Sequence, residues 1–356
     1  SRSRACLAMN IVMTVNASWN IWNFRRPVVE ALIADGHDVT VLAPKDDTVS
    51  RLAALGCRVR HLEMNAKGLN PASDVALVLR LRRLFDEIGP HVILSYTIKN
   101  NIFGAIASKG LGIPFIPNVT GLGTAFLSGS LLERVAVGLY KTSFRKLPVI
   151  FFQNEDDRDL FLSRGLVTGK QARILPGSGI DLDRFAPAPY PEPTEAPVFL
   201  MIARLLRDKG ILEYVDAARR VKAKQPEARF LVLGATDAEN RTAIDRETVR
   251  RWEEEGVIEY LGTTDDVRPL IAAAHCVVLP SYREGAPRTL IEAAAMSRPL
   301  IATDVPGCRS VVEEGRTGFL CDVKSGESLA WACERFLALE PGDRAAMGQA
   351  GRGKME

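Results

Sequence analysis

The sequence predicts an α/β protein made of two tandem Rossmann-like, doubly wound domains facing a cleft. Three observations carry this. Short apolar runs of strand length alternate with longer segments of helical periodicity, as a parallel sheet covered by helices on both faces requires. The alternation breaks once, at the Pro-rich run "FAPAPYPEPTEAP" (185–197), and then starts again. The length, 356 residues, suits two domains of ordinary size.

Taken in order, "NIVMTVN" (10–16) is a buried strand that ends at Asn16, and "RPVVEALIADG" (26–36) has helical spacing and stops at a glycine. "HDVTVLAP" (37–44) is the next strand, and "RLAALG" with "CRVRHLEM" repeats helix then strand. "ASDVALVLRLRRLFDEIG" (72–89) is a longer helix. "HVILSY" (91–96), "NNIFGAIASKGLG" and "PFIPNVTG" follow as strand, helix and strand. The second cycle opens at "VFLMIARL" (198–205). It continues through helices at 210–224, 244–255, 266–274, 287–297 and 325–339, and through strands at 229–234, 257–262, 276–281 and 300–304. The expected division is therefore a first domain over 9–185, a linker over 186–197 and a second domain over 198–356, with residues 1–8 set apart as a cloning remnant.

Composition narrows the classes. With 47% hydrophobic and 25% charged residues the chain can build cores and is not a disordered protein. No apolar run approaches the roughly 18 residues of a membrane span, and the start "SRSRACLAMN" lacks the apolar stretch of a signal peptide. Six cysteines are scattered with no CxxC pair, which fits reduced, buried thiols rather than a zinc site or a disulfide scaffold. The net charge of +3 is uneven: residues 1–185 carry 23 Lys+Arg against 16 Asp+Glu, and the remainder 23 against 27. A basic half suits an anionic partner, although solvated faces account for it equally well.

Ligands of open parallel sheets bind beyond the carboxyl ends of the strands. In the second domain those ends carry "ARLLRDKG" (203–210) with Arg204 and Lys209, "EYLG" (259–262) with Leu261, "SYREGAP" (281–287) with Glu284, Gly285, Ala286 and Pro287, and "TDVPG" (303–307). A glycine-rich helix entry with an Arg and a Lys suits a diphosphate. A carboxylate beside a diphosphate suits sugar hydroxyls, so Glu284 is placed for a sugar and Glu292, further along the helix, for a ribose. Helix capping by Glu284 and solvent exposure of the others are the plain alternatives.

Less specific signals lie in the first domain. The loop "NASWNIWNF" (16–24), with Asn16 and Asn20, is read as a ligand contact or as tryptophan packing. Thr97 and Lys99 in "TIKNN" end a strand, either towards a ligand or as a helix cap. Thr120, Gly121 and Gly123 form a ligand loop or a plain turn. Helix 131–147, with Leu131, Val135 and Leu139 beside Lys141, Arg145 and Lys146, is an interfacial helix or a core helix with a solvated face. Arg80, Arg82 and Arg83 add to the basic half.

The E-x7-E pair, the upstream R-x4-K pair and "RPLIATDVPG", together with "TGLGTAF", "QNEDDRDLF" and "ILPGSGIDLDRF", resemble the retaining family-4 glycosyltransferases of GT-B fold, in the branch that extends lipid-linked bacterial surface glycans. The resemblance covers nearly the whole chain. It implies diphosphate binding by Arg204 and Lys209, sugar binding by Glu284 and ribose binding by Glu292. It also implies a metal-independent reaction without cofactor. The implied donor is a nucleotide-sugar, UDP-linked, and the implied acceptor a polyprenyl-diphosphate-linked saccharide. The expected location is cytoplasmic, peripheral on an anionic membrane surface, with no nucleic-acid partner. A GT-B nucleotide-sugar epimerase, a non-catalytic nucleotide-sugar binder and a transferase with a soluble acceptor are the alternatives. Phe24 in "WNFRRP" stands where relatives carry a histidine. His37, His61, His91 and His275 are therefore expected to be structural. The chain also stops at "MGQAGRGKME", before the helix that relatives send back to the first domain, which implies a truncated end.

Overall fold

A computed structural model of the protein describes residues 7–65, 70–121, 131–192, 196–236 and 242–356. Gly123 and most of residues 1–8 lie outside them. The chain divides into two units, Ser1–Ser178 and Gly179–Glu356.

In unit 1 the strands are β1 (Asn10–Thr14), β2 (Asp38–Ala43), β3 (Arg58–His61), β4 (Val92–Tyr96), β5 (Phe115–Val119), β6 (Ile150–Phe152) and β7 (Ala172–Ile174). The helices are α1 (Ser18–Phe24), α2 (Arg26–Ala34), α3 (Val49–Ala54), α4 (Pro71–Ile88), α5 (Ile98–Ser108), α6 (Leu131–Phe144) and α7 (Glu155–Ser163). The strands form one parallel sheet in the order β3-β2-β1-β4-β5-β6-β7. Successive side chains alternate between its faces. Val12 packs with Leu81 and Phe85 of α4, while its neighbour Met13 packs with Ile21 of α1 and Val29 of α2.

In unit 2 the strands are β8 (Val198–Ile202), β9 (Arg229–Leu233), β10 (Glu259–Tyr260), β11 (Cys276–Leu279), β12 (Leu300–Thr303) and β13 (Gly318–Cys321). The helices are α8 (Ile211–Lys224), α9 (Arg246–Glu254), α10 (Arg268–Ala273), α11 (Arg288–Ala295), α12 (Cys308–Val311), α13 (Gly326–Leu337) and α14 (Pro341–Met355). The sheet order is β10-β9-β8-β11-β12-β13, again parallel. One core gathers Tyr214 of α8, Val249 of α9 and Phe336 of α13; the other gathers Ile271 of α10, Leu290 of α11 and Val311 of α12.

Each sheet reverses its winding once, between β1 and β4 and between β8 and β11. The units repeat one device there. His91, just before β4, accepts the first amide of β1 from Asn10 on Nδ1 at 2.8 Å, and His275, just before β11, accepts that of β8 from Val198 at 3.1 Å. His37 and His61 accept the amides of Met9, just before β1, and of Lys45, beyond the end of β2. A strand's first N–H needs an acceptor, and the imidazole supplies it. The five described cysteines are all buried and free.

Three expectations are corrected. The stretch 16–24, read as a loop, contains α1. The Trp19 amide in its first turn is satisfied by Asp46 Oδ2 at 2.7 Å, a tertiary contact that local sequence does not show. Residues 179–185 belong to unit 2 rather than to the first domain: Phe185 is buried with Val198 and Leu200 of β8. The Pro-rich run is not a bare linker over its described part. Arg298, fully buried, donates to the carbonyls of Ala188 and Pro189 as well as Ile271, Ala272, Met296 and Ser297, and Tyr190 OH donates to the His275 carbonyl. The final helix α14 packs on α11 within unit 2, where Gly351 faces Ala294 and Arg352 donates to the carbonyls of Leu182, Phe185 and Ala295.

Candidate active site

The carboxyl ends of β8 and β11 flank the point where the unit 2 sheet reverses, the place where a ligand of such a sheet is bound. Glycines bring the loops there into contact. After β8 a short 3₁₀ turn, Arg207–Lys209, ends at Gly210 with φ +78°, and a Cβ on Gly210 would stand 2.0 Å from the Pro280 carbonyl oxygen. Only a glycine allows that approach in that conformation. Gly307, with φ +84°, does the same for the loop after β12, where a Cβ would stand 2.4 Å from Glu284 O and 2.6 Å from Gly285 O.

This packing sets the polar contacts. Lys209 Nζ donates to Glu284 Oε1 at 2.5 Å, and Ser281 Oγ donates to the same oxygen at 2.7 Å. Both side chains are mostly buried, Lys209 25% and Glu284 13% exposed, so the pair is not a solvated surface contact. Thr303 Oγ1 ties the loop to β12 by donating to the Ser281 carbonyl. The Tyr282 amide donates to Asp208 O at 2.9 Å and its hydroxyl to Glu213 Oε1 at 2.8 Å, fastening the β11 loop to the Lys209 turn and to α8.

Helix α11 begins just after Pro287, and Thr289 Oγ1 binds the Ile202 carbonyl at the end of β8 (3.0 Å). One turn on, Glu292 is 8% exposed and accepts from Arg288 Nε at 2.6 Å. Burial pushes its carboxyl above the ordinary value, and the Arg288 guanidinium partly opposes that. Arg204 lies exposed at the end of β8, and Leu261, about one third exposed, follows β10 with its amide on Val232 O. The structure thus brings Lys209 and Glu284 into direct contact and places Arg204, Gly285, Ala286, Pro287, Glu292 and Leu261 on loops or helices of the same unit. Sequence reading missed Ser281, Tyr282, Glu213 and Arg288. Only the i, i+4 spacing of Arg288 and Glu292 signalled a pair.

In unit 1 the expected residues also follow strand ends. Thr97, after β4, holds φ +72° and ψ 149°, a region where a β-branched residue is strained. Its hydroxyl donates to Asn100 Oδ1 and does not cap α5, and Asn100 Nδ2 reaches Thr14 Oγ1 at 2.9 Å. Lys99, read as turned either towards a ligand or to a helix cap, is paired with Asp74 of α4 at 2.9 Å, both side chains about nine-tenths buried. Asn16, Asn20, Thr120 and Gly121 are partly exposed.

Known proteins carry the same two halves. Residues 21–177 match the "Glycosyl transferase 4-like domain" family, and residues 183–354 match "Glycosyl transferases group 1". The chain belongs to the family-4 glycosyltransferases of GT-B fold. It is 29% identical over 339 residues (90% of this chain and 88% of the relative) to the N,N'-diacetylbacillosaminyl-diphospho-undecaprenol alpha-1,3-N-acetylgalactosaminyltransferase of Campylobacter jejuni. It is 24% identical over 320 residues (86% and 81%) to the UDP-Gal:alpha-D-GlcNAc-diphosphoundecaprenol alpha-1,3-galactosyltransferase of Escherichia coli. Among solved structures, HepE of Anabaena in complex with UDP and glucose aligns over 98% of this chain and 94% of its own, with TM-score 0.75 and 18% identity, a likeness of fold. Among the described residues of this glycosyltransferase, no helix is long and apolar enough to cross a membrane.

Proposed function

We propose that this glycosyltransferase moves a hexosyl or N-acetylhexosaminyl group from a UDP-sugar to a saccharide carried on a polyprenyl diphosphate, with retention of configuration, in bacterial surface polysaccharide or glycan synthesis. The observation that carries the reading is the Lys209–Glu284 pair at the reversal point of the unit 2 sheet. Lys209 has further ammonium protons for a phosphate, and the contacts of Glu284 fall on Oε1, which leaves Oε2 for a sugar hydroxyl.

Arg204 and Lys209 stabilise the charge that grows on the leaving diphosphate, and these cations make the proposed reaction metal-independent. Glu284 orients the transferred sugar through its hydroxyls. Glu292 and the start of α11 hold the ribose. The acceptor hydroxyl attacks from the face the diphosphate leaves, and the leaving phosphate takes its proton. The histidines, all engaged by backbone amides, have no part in that step. Most of the rate gain is positioning and preorganised charge. Retention is supported by the two relatives, whose names record alpha-1,3 transfer, one of them from UDP-Gal. The acceptor's polyprenyl chain stays in the bilayer, so the enzyme works as a peripheral protein on the cytoplasmic face.

Thermal stability in the presence of UDP-, GDP- and ADP-sugars tests the donor, because a ligand bound only by the folded state raises its midpoint. The account expects the rise with UDP-sugars; a rise with GDP- or ADP-sugars alone would overturn the assignment of the base.

A further inference from the structure

Beside the Lys209 turn, unit 2 gathers a polar cluster to which the proposed reaction gives no task. Its centre is Tyr282, partly buried, two residues before Glu284 in the loop after β11. Three elements meet on it. Its amide donates to Asp208 O, next to Lys209, at 2.9 Å. Its hydroxyl donates to Glu213 Oε1, in the first turn of α8, at 2.8 Å. The Lys324 ammonium, from the turn after β13, stands 5.0 Å from the centre of its ring.

Each contact is held in place. Among the described residues the Tyr282 hydroxyl is the one donor to the Glu213 carboxylate, whose Oε2 is buried without a hydrogen-bond partner. A buried carboxylate short of donors is costly, so the bond that it does make is firmly kept. Burial and the Glu213 carboxylate push the Tyr282 hydroxyl above its ordinary value, so it stays a donor. Lys324 reaches the ring from a φ of +57°, a left-handed conformation uncommon in a residue with a side chain. The turn that carries it is fixed on both sides. Ser325 Oγ accepts the Ser328 amide at 3.0 Å, Ser328 Oγ accepts the Asp322 amide at 2.9 Å, and a Cβ on Gly326 would stand 2.1 Å from Asp216 Oδ2 of α8.

Lys209 and Glu284 belong to different loops, and their own contact joins only the tips of two side chains. Tyr282 joins the frames that carry them. Its backbone holds the residue before Lys209, and its hydroxyl holds the helix that starts right after Gly210. Lys324 lies on the face of the ring between those two ends.

We propose that Tyr282 is a positioning residue for sugar transfer: clamped by Glu213 and Lys324, it sets the distance between the Lys209 turn on the diphosphate side and the Glu284 loop on the sugar side. The proposal rests on the donor site of the preceding subsection. It gives the turn after β13, the edge strand of the sheet, a part in the reaction through Tyr282.

Calorimetry of the full chain with UDP and with UDP-galactose or UDP-N-acetylgalactosamine tests it. UDP meets Lys209 and Glu292, whereas the whole donor also spans to Glu284, so only the whole donor senses the distance between the loops. Tyr282→Phe should leave UDP affinity within about twofold and weaken the whole donor roughly tenfold, the worth of one hydrogen bond made by a charged group. Glu213→Ala should do the same, and Glu213→Gln, which keeps the acceptor oxygen, should stay within about threefold of wild type. Lys324→Met, at an exposed position, guards against misfolding of the others and should weaken the whole donor by roughly two- to fivefold, the worth of an exposed cation over a ring. Wild-type affinity for the whole donor in Tyr282→Phe and Lys324→Met, equal loss of UDP and whole donor, or equal loss in Glu213→Gln and Glu213→Ala would overturn the proposal while leaving the donor reading intact. A lowered thermal midpoint with both affinities unchanged would show a purely structural brace and also overturn it. Absence of binding by the wild type would overturn the donor reading and this proposal with it.

Discussion

Gly210→Ala tests the site without touching a side chain that meets a ligand. A Cβ there would stand 2.0 Å from Pro280 O, and ordinary contact begins at 3.4 Å, so the turn must retreat by the difference, 1.4 Å. Lys209 Nζ, now 2.5 Å from Glu284 Oε1, would then sit near 3.9 Å, beyond hydrogen-bond reach. The left-handed φ of +78° adds about 1–2 kcal/mol of strain. A displacement of about 1 Å in positioning groups costs on the order of 10²-fold in rate. Steady-state transfer should show kcat/KM down about 100-fold with most of the loss in kcat. The thermal midpoint should fall by only about 2–8 °C, from about 2–4 °C per kcal/mol. A Gly210→Ala enzyme within about threefold of wild type would refute the claim that this close approach sets the Lys209–Glu284 geometry.

Further outcomes follow from the same geometry. Arg204→Ala or Lys209→Ala should each lower kcat/KM by roughly 10²-fold, the cost of one charge-stabilising donor; near-normal turnover in both would place the diphosphate elsewhere. Calorimetry should show Glu292→Ala weakening UDP itself and Glu284→Ala sparing UDP while weakening the whole donor; equal loss of UDP affinity in both would sink the division of roles. Because burial raises the Glu292 carboxyl above its ordinary 4.5, wild-type UDP affinity should fall as pH drops through that raised value, and Glu292→Gln should flatten the profile. The stability contribution has the opposite sense, present below 4.5 and lost as pH rises through the raised value, since folding favours the protonated form. Arg298→Ala should cost unit 2 about 4 kcal/mol, because several of its six carbonyl partners lose a charged donor worth about 1.5–3 kcal/mol each; a loss under about 1 kcal/mol in urea unfolding would show that water replaces it.

Both parallel sheets were legible because the long strands and helices carry strong periodicity. β6 and β7 were not singled out, since three residues are too few to show a period. Helix α1 was misread because Asn and Trp have weak helix preference and Asp46, distant in sequence, satisfies its first turn. The Pro-rich run looked unattached because its anchor, Arg298, lies 109 residues away from Pro189 and bonds only to carbonyls, which no side-chain pattern reveals. At the site, Glu284 and Lys209 were legible from residue type at strand ends. Their contact depends on glycine approaches that only the fold shows, and Tyr282 with Glu213 joins elements 69 residues apart. Lys99 was legible as a cation at a strand end, but its partner Asp74 lies 25 residues earlier on another helix.

The central claim is retaining transfer from a UDP-sugar to a lipid-linked saccharide. Its direct measurement is incubation of the enzyme with radiolabelled UDP-N-acetylgalactosamine or UDP-galactose and a polyprenyl-diphosphate-linked saccharide, with the new glycosidic bond assigned by NMR. The account predicts label in the lipid-linked product, an α linkage, and loss of that product in Lys209→Ala. A β linkage, transfer to the free saccharide at the same rate, or donor turnover without any acceptor would contradict it.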